Sequence, residues 1–448
     1  MAVKKNFWLF FLFPIFALAV SSFFLPESWL FPKNETQLPQ RETIIIEENT
    51  NNNTMPKNEE QDERFELRET QLLTGEVLQN ILASSTERQI ALLKSENVKG
   101  VYMTEYIANT PSSINFKNII KLLEETELNA VVIDIKEMNG QNLPNSLKNL
   151  IDELHGKNIW VIARICVFRD NSLIKVKPEL YLKKKILNST SSSVTTSELW
   201  RDSGRGYWLD PASPAVQNYL VNFSKKAIDF GFDELQFDYI RFPSDGKVDQ
   251  IVYPFYDGKK EKYEIIQEFF RNLSDSLRSY KSSIILSVDL FGYVASEHQA
   301  LTIGQRTKDA ADVFDYVSFM LYPSHFYSGF RVNADQARGL PLVYFPYNSA
   351  STSQIVSNNP YLVILRSILT ASDFFSQLGS KTKIRPWLQD FNLKYDTDRG
   401  IYYDAGKVKT QIQAAKDAGA SGWLLWNSSN VYTKAALRLE ENKVDNDF

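Results

Sequence analysis

The sequence predicts an α/β protein built on a (β/α)8 TIM barrel over residues 98–440, and three observations lead to this prediction. Short apolar runs of β-type residues alternate with amphipathic helical runs, as in parallel sheets whose strands are joined by helices. The strand candidates number eight, which is the number that closes such a barrel. No glycine-rich phosphate-binding pattern follows the first strand, which disfavours the alternative of a doubly wound sheet.

Seven of the eight predicted strands combine an apolar run with a polar residue near the same end. The eight are Gly100–Tyr106, Ala130–Ile135, Trp160–Val167, Glu234–Phe242, Ile284–Phe291, Tyr316–Tyr322, Ile384–Phe391 and Gly422–Asn427. Helical periodicity between the strands predicts helices at Phe116–Thr126, Leu147–His155, Ser213–Phe230, Glu261–Tyr280 and Lys407–Ala418. The third of these helices begins with Ser213 and Pro214, a capping residue followed by proline at the first helical position.

The N-terminus predicts export and attachment to a membrane. Lys4 and Lys5 precede the uncharged apolar run Phe7–Leu25. This pattern is typical of a signal peptide, and the run is also long enough for a membrane anchor. Residues 1–31 are therefore expected to form a signal anchor, or a signal peptide if the Ala17–Ala19 pattern is cleaved. The basic start would keep this end cytoplasmic and place the rest outside the bacterial cytoplasmic membrane, anchored or secreted.

Three further segments flank the barrel. Residues 32–63 are rich in Asn, Glu, Gln and Thr, a composition that predicts a disordered linker. Residues 64–97 have apolar residues at helical spacing and are expected to form an amphipathic helix or spacer. Residues 441–448 form a polar tail.

Composition narrows the classes of function. The chain has 50 basic and 54 acidic residues, a net charge of −4, so nothing favours nucleic acid as a partner. Cys166 is the single cysteine, and the three histidines (His155, His298 and His325) stand far apart. A metal site built from such residues is not expected, and no cofactor is predicted.

Polar and aromatic residues cluster near the ends of the predicted strands, where barrel enzymes have their active sites. We take Asp238, Asp289 and Asp390 as candidate catalytic residues, because a pair of carboxyl groups facing one cleft suits the cleavage of glycosidic bonds. Asp238 is the candidate nucleophile, Asp289 the acid/base, and Asp390 a third carboxylate that supports the reaction. Candidate substrate-binding residues at the same ends are Asp134, Lys136, Arg164, Tyr239, Arg241, Tyr322, His325, Trp387, Gln389, Trp426 and Asn427.

Residues from about 98 to 437 resemble the DUF4015 glycosyl hydrolase family of bacterial barrel proteins. The motifs that carry the resemblance are Ala163–Asp170, Leu199–Asp202, Trp208–Pro211, Gly231–Pro243, Val288–Gly292, Met320–His325, Ile384–Phe391 and Gly422–Asn427. The resemblance implies kinship with α-amylase-like barrels, whose nucleophile ends the fourth strand, the position of Asp238 here. Their acid/base is commonly a Glu that ends the fifth strand, where this chain has Asp289, with Glu297 further into the loop.

The leading expectation is therefore a glycoside hydrolase that cleaves a polysaccharide or a cell-wall glycan. A non-catalytic carbohydrate-binding barrel of the cell envelope is the alternative, and a scaffold protein is a third one. Two long connections are expected to shape substrate access. They are the Ser/Thr-rich stretch Asn188–Glu198 and the aromatic stretch Gly329–Asn359.

Overall fold

The computed structural model describes residues 79, 82–187, 194–195 and 198–439. Contacts divide the chain into Met1–Arg68 and Glu69–Phe448, and all described residues belong to the second unit. The predicted signal segment, linker and polar tail lie outside the described residues, as do half of the N-terminal spacer and most of Asn188–Glu198. Within the described ranges, no helix has the length and apolar character that crossing a membrane requires.

Eight parallel strands form a closed barrel, which confirms the predicted fold. In chain order they are β1 Val98–Met103, β2 Ala130–Glu137, β3 Trp160–Cys166, β4 Glu234–Asp238, β5 Ile285–Phe291, β6 Tyr316–Leu321, β7 Trp387–Gln389 and β8 Gly422–Trp426. Each strand pairs with the next, and β8 pairs with β1 through Val98 and Gly422 to close the ring.

Long helices pack around the strands. Those that lie between the strands or follow them are α1 Ile114–Glu125, α2 Asn145–Gly156, α3 Pro214–Phe230, α4 Lys262–Tyr280, α5 Pro360–Gln377 and α6 Ala405–Asp417. The predicted start of α3 is confirmed, because the Ser213 side chain accepts a hydrogen bond from the Val216 amide and Pro214 is the first helical residue. Gly231 ends this helix with φ 107°, a left-handed conformation that glycine adopts at little cost.

Two predicted strands are several residues shorter than expected, for identifiable reasons. The fourth was expected to reach Phe242 but ends at Asp238, because the next residue, Tyr239, turns the chain with φ 51°. The seventh was expected to be continuous over Ile384–Phe391. Pro386 interrupts it, since proline has no N–H for the ladder, and only a short piece at Lys383–Ile384 precedes β7.

A buried ion pair crosses the barrel interior near the N-terminal ends of the strands. Arg385 donates to both carboxylate oxygens of Glu234 at 2.9 and 2.8 Å, and neither side chain is exposed. The Trp160 indole N–H also donates to Glu234, at 3.0 Å, while the Arg385 guanidinium lies over the Tyr316 ring at 3.7 Å. These contacts satisfy charged groups that would otherwise be costly to bury.

Long connections cover the C-terminal end of the barrel. The connection after β3 carries the short strand Lys183–Lys184, which pairs with Ile251–Val252 from the connection after β4. The aromatic stretch after β6 includes an antiparallel hairpin of Phe330–Val332 with Val343–Phe345. The connections after β3, β4 and β6 therefore form walls around the mouth of the barrel.

Candidate functional site

The charged centre of the barrel mouth lies on four neighbouring strands, β2 to β5. Asp134 pairs in register with Arg164 on the next strand, and Asp238 and Asp289 follow on β4 and β5. Phe237 pairs with Val288, so Asp238 and Asp289 stand level on adjacent strands. Because side chains alternate along a strand, both point into the barrel as Gln236 and Ser287 do below them.

Arg164 connects these carboxyl groups. Its Nη2 donates to Asp238 Oδ2 at 2.5 Å, and its Nη1 donates to Asp134 Oδ1 at 2.5 Å and to Glu137 Oε1 at 2.9 Å. Its Nε lies 3.9 Å from Asp289 Oδ2. The attraction of the carboxylates outweighs burial and raises the pKa of Arg164, so the guanidinium stays charged.

Asp289 is a carboxyl group whose surroundings disfavour ionisation. Burial and the negative charge of Asp238 raise its pKa well above the usual range, although Arg164 opposes this. The Trp387 indole N–H donates to Asp289 Oδ1 at 2.9 Å and fixes its orientation. The arrangement therefore places a carboxyl group with a raised pKa next to one that is paired with a cation.

A second carboxyl group, Asp134, has an unusual environment. Burial raises its pKa to about 8, against the opposing effect of Arg164. The Tyr102 hydroxyl donates a short hydrogen bond to Asp134 Oδ2. Asp134 is fully buried, and it therefore holds Arg164 and Tyr102 in place from behind the mouth.

Aromatic rings enclose the charged centre. Trp426 stacks on Tyr102 with ring centroids 4.0 Å apart and meets Trp387 edge-on at 5.6 Å. The Arg164 guanidinium lies over the Trp426 ring at 5.1 Å. Burial and the charges of nearby Asp289 and Asp238 raise the pKa of Tyr322, so its hydroxyl keeps its proton. Rings of this kind suit the apolar faces of sugars as well as packing within the barrel.

An open cleft of about 580 Å³ lies beside Trp426, between the connections after β7 and β8. His325, Asp390, Phe391 and Tyr432 also line it. Burial lowers the pKa of His325 to about 4, so its ring is neutral near pH 7. The cleft is a space in which a sugar unit could contact Trp426 next to the charged centre.

Three predicted site residues are engaged in holding the barrel together. Lys136 is fully buried and forms an ion pair with Asp170 at 2.8 Å. Gln389 exchanges hydrogen bonds with Ser324 at 2.7 and 3.1 Å. Asn427 donates to the backbone carbonyls of Asp390 and Val431 at 2.5 and 2.7 Å. These contacts occupy the polar groups that substrate binding would need.

The third carboxylate of the prediction, Asp390, lies apart from the cluster around Arg164. Its oxygens accept hydrogen bonds from the backbone N–H and the hydroxyl of Thr433, at 2.8 and 2.6 Å. Burial raises its pKa, and the Thr433 bonds oppose that effect. The geometry gives Asp390 the role of fixing the connection after β8 at the edge of the cleft.

Tyr239 and Arg241 form part of the wall towards the connections after β3 and β4. The Arg241 guanidinium lies 5.1 Å from the centre of the Tyr239 ring and also covers Trp208. Its Nη1 donates to Phe242 O and to the Ser244 hydroxyl, both at 3.1 Å. Arg241 therefore supports the loop after β4, while Arg164 is the cation that contacts Asp238.

Sequence reasoning passed over two residues of this centre. Tyr102 is the last residue of β1 whose side chain faces into the barrel. Its hydroxyl was the available sequence signal, because few polar groups stand near the end of this strand. Glu137 is the last residue of β2, and the neighbouring Lys136 was taken as the candidate in its place. Burial favours the neutral form of Glu137, but Arg164 outweighs it and the pKa is lowered. Among the described residues, no cluster of His, Cys, Asp or Glu is arranged to hold a metal ion.

Several solved structures are similar to this chain. A hypothetical protein from Ruminiclostridium thermocellum is 32% identical, and the match covers 42% of this chain and 96% of that one with a TM-score of 0.33. The PgaB (BpsB) glycoside hydrolase domain from Bordetella bronchiseptica is 15% identical, with coverage of 75% and 94% and a TM-score of 0.47. The α-galactosidase TtGalA from Thermus thermophilus is 11% identical, with coverage of 74% and 58% and a TM-score of 0.41.

No curated protein matches the chain. The model of the family described as "Putative glycosyl hydrolase domain" matches residues 100–432, well over half of the chain, and spans all eight barrel strands. The barrel, its carboxyl groups at the C-terminal strand ends and this match agree with one another. The chain belongs to the DUF4015 glycosyl hydrolase domain family.

Proposed function

We propose that this protein is a glycoside hydrolase that cleaves glycosidic bonds with Asp238 and Asp289. Asp238 is the carboxylate that attacks the anomeric carbon, and Asp289 donates a proton to the leaving oxygen. The single observation that carries the proposal is the Arg164 contact set. One guanidinium contacts Asp238 at 2.5 Å and approaches Asp289 to 3.9 Å, and the two carboxyl groups stand level on adjacent strands.

Charge balance supports these roles. Asp134, Glu137, Asp238 and Asp289 surround the single positive charge of Arg164, and full ionisation would leave three uncompensated negative charges in a largely buried space. The raised pKa of Asp289 relieves this by retaining a proton. Asp238, in contact with the cation, is the group suited to carry negative charge.

The spacing of the pair favours a retaining mechanism. Neighbouring strands lie about 5 Å apart, and residues that stand level on them have similar separations. Carboxyl groups about 5–5.5 Å apart act as nucleophile and acid/base, whereas inverting pairs are wider to admit a water molecule. In the first step, Asp238 forms a bond to the anomeric carbon while Asp289 protonates the departing oxygen. In the second, Asp289 takes a proton from water, which displaces Asp238.

The aromatic cleft supports a carbohydrate substrate. Trp426, Phe391 and His325 present rings to the open space of about 580 Å³ beside the charged centre. A neutral His325 can donate and accept hydrogen bonds with hydroxyl groups. Glu137 is partly exposed and carries a lowered pKa, which suits it to accept hydrogen bonds from sugar hydroxyls.

Replacing Asp238 tests the proposal. We expect Asp238→Asn to lower the release of reducing ends from bacterial cell-wall glycans and exopolysaccharides by about a hundredfold or more, since an amide is a far poorer nucleophile. Binding of the same glycans should persist. Asp275→Asn, an exposed carboxyl group on α4, is the matched control and should behave as the parent. Equal hydrolysis by Asp238→Asn and the parent would contradict the proposal.

A non-catalytic carbohydrate-binding barrel is the second candidate, and the burial of Asp289 favours it. Only 1% of Asp289 and 6% of Asp238 are exposed, as in a structural ion-pair cluster. On this alternative the parent protein binds glycans through the cleft but releases no reducing ends from any of them. The same assay therefore separates the two candidates.

A further inference from the structure

A second cavity, of about 450 Å³, lies among the connections that cover the mouth of the barrel. Lys184 and Arg201 from the connection after β3 line it, together with Lys247 from the connection after β4. The Tyr207 ring forms part of the wall. The cavity is thus separate from the cleft at Trp426, and its lining includes three cationic side chains and one acidic one, Glu198.

Backbone contacts fix the walls of this cavity. The Lys184 amide donates to Glu198 O at 2.8 Å, and Arg201 and Tyr207 form a β-bridge. The indole N–H of buried Trp200 donates to Lys247 O at 2.9 Å and ties the two connections together. The positions of the cationic residues are therefore set by the fold, which lowers the entropy lost on binding.

Two of the three cations have no anionic partner. Lys184 forms an ion pair with Glu198 at 3.2 Å. Arg201 and Lys247 are exposed, and neither forms an ion pair with any residue in the described part of the chain. Residues 188–197 of the adjoining connection contain no charged side chain at all. Two positive charges thus remain uncompensated in a protein whose net charge is −4.

The Arg201 guanidinium is oriented by contact with an aromatic ring. It lies 4.4 Å from the centre of the Tyr207 ring, a cation–π contact that orients the planar group. A guanidinium held in this way can form paired hydrogen bonds with a carboxylate or a phosphate. Lys247 adds a second, more mobile donor on the opposite connection.

Packed side chains link the cavity to Asp238. Asp202, next to Arg201, forms an ion pair with Arg169 at 2.6 Å. The Arg169 guanidinium lies over the ring of Tyr239, the residue after Asp238, at 5.4 Å. The cavity therefore lies on the same face of the barrel as the charged centre, on the flank of β3 and β4.

We propose that this cavity is a subsite for an anionic group of the glycan, with Arg201 and Lys247 binding a carboxylate or a phosphate. The inference rests on the proposed function and deepens it, since it assigns the substrate to the acidic glycans. The anionic unit binds on the flank of β3 and β4 while a neighbouring unit occupies the mouth of the barrel.

Calorimetry at low ionic strength tests this subsite with three probes. They are a de-esterified oligogalacturonate, its carboxyl-reduced neutral counterpart and inorganic phosphate. We expect the charged oligosaccharide or phosphate to bind the full-length parent, and Arg201→Gln/Lys247→Gln to weaken that binding about fivefold or more, as the loss of two charge-assisted contacts implies. Stronger loss for oligogalacturonate assigns a carboxylated glycan, and stronger loss for phosphate assigns a phosphorylated one.

Two control variants make the result specific. Lys94→Gln/Lys281→Gln removes two exposed positive charges that do not line the cavity and should leave the affinity within about twofold. Arg201→Lys/Lys247→Arg keeps both charges and should retain most of the affinity. Equal loss in the Lys94/Lys281 control, equal binding of the neutral oligosaccharide, or absence of binding by both anionic probes overturns the inference.

The failure of this inference differs from the failure of the proposed function. Charge-dependent binding without hydrolysis of any glycan would leave the subsite in place and remove the enzymatic role. Hydrolysis of both acidic and neutral substrates that depends on Asp238 but is unaffected by Arg201→Gln/Lys247→Gln would support the enzymatic role and contradict the subsite.

Discussion

Arg164 is the residue on which the protonation of the whole centre depends. Among the described residues, it is the one cation in contact with Asp134, Glu137 and Asp238, and it approaches Asp289. A fixed charge in a buried space acts over a few ångströms with little screening, so it opposes the effect of burial on the pKa of each nearby carboxyl group. On the proposed function, direct contact with Arg164 suits Asp238 to the role of nucleophile, and the longer distance from Arg164 to Asp289 suits Asp289 to the role of proton donor.

The raised pKa of Asp289 predicts how pH affects stability. The folded protein keeps a proton on Asp289 that the unfolded chain releases above about pH 4. The folded state therefore binds more protons, and this residue makes the parent less stable as pH rises from about 4 towards the folded pKa. The asparagine of Asp289→Asn cannot ionise, and it can still accept a hydrogen bond from Trp387. This variant therefore does not lose stability as the pH rises in the way that the parent does.

We expect the melting temperature of Asp289→Asn relative to the parent to rise as the pH increases above about 4, the usual pKa of an aspartate in an unfolded chain. The gain in unfolding free energy should approach about 1.4 kcal/mol for each pH unit crossed below the folded pKa. Thermal scans at several pH values measure it, with Asp275→Asn on the surface of α4 as the control. A pH-independent difference would show that Asp289 is ionised in the folded protein.

At the scale of the residue, sequence patterns located the carboxyl groups better than they assigned their roles. Asp238 and Asp289 stood out because a charge inside an apolar strand needs a partner. Asp390 gave the same signal, yet its partner is Thr433, which lies 43 positions further along the chain. Tyr102 and Glu137 were not identified, because their importance comes from contact with groups on other strands.

At the scale of the element, the barrel depends on a tight contact between its first and last strands. Gly422 begins β8 with φ +87°, and a Cβ there would lie 1.9 Å from the Val98 carbonyl oxygen on β1. Both the backbone angle and the space exclude a side chain at this position. The closing seam of the barrel therefore requires glycine.

We expect Gly422→Ala to lower the free energy of unfolding by about 3 kcal/mol or more, because strain at positive φ adds to the steric overlap. Chemical denaturation measures the change. Gly156→Ala at the end of α2 is the control, since a Cβ there meets nothing within 4 Å, and it should be neutral or slightly stabilising. If both variants unfold at the same denaturant concentration as the parent, β1 and β8 are not packed as described.

The elements themselves were largely predictable, because apolar strands and capped helices leave local signals. The start of α3 was identified from Ser213 and Pro214 alone. The end of β4 was not, since the turn at Tyr239 depends on where the chain must leave the barrel. Helix α5 at Pro360–Gln377 was missed because the long aromatic connection before it concealed where it begins.

At the scale of the whole molecule, the two ends of the barrel interior have different tasks. Near the N-terminal ends of the strands, Glu234 and Arg385 form a buried ion pair that joins β4 to the chain just before β7. At the other end, Asp238 and Asp289 share an incompletely neutralised space. On the proposed function, stability is concentrated at the first end and chemistry at the second, the arrangement that is general for barrels of this fold.

We expect Glu234→Gln to destabilise the whole barrel by about 3–5 kcal/mol, because it leaves the buried charge of Arg385 unpaired. Tryptophan fluorescence and far-ultraviolet circular dichroism should shift to the same lower urea concentration. Asp398→Asn removes the exposed pair with Lys394 and should change stability by less than about 1 kcal/mol. An unaltered midpoint for Glu234→Gln would mean that water reaches this end of the interior.

The central claim is that Asp238 and Asp289 together cleave a glycosidic bond, and the anomeric configuration of the first product tests it most directly. Proton NMR during hydrolysis of a responsive glycan records the anomer before it equilibrates with the other form in water. A product that keeps the configuration of the substrate, formed by the parent and not by Asp238→Asn, is the predicted result. A product of inverted configuration, or the same product from Asp238→Asn at the rate of the parent, would contradict the account.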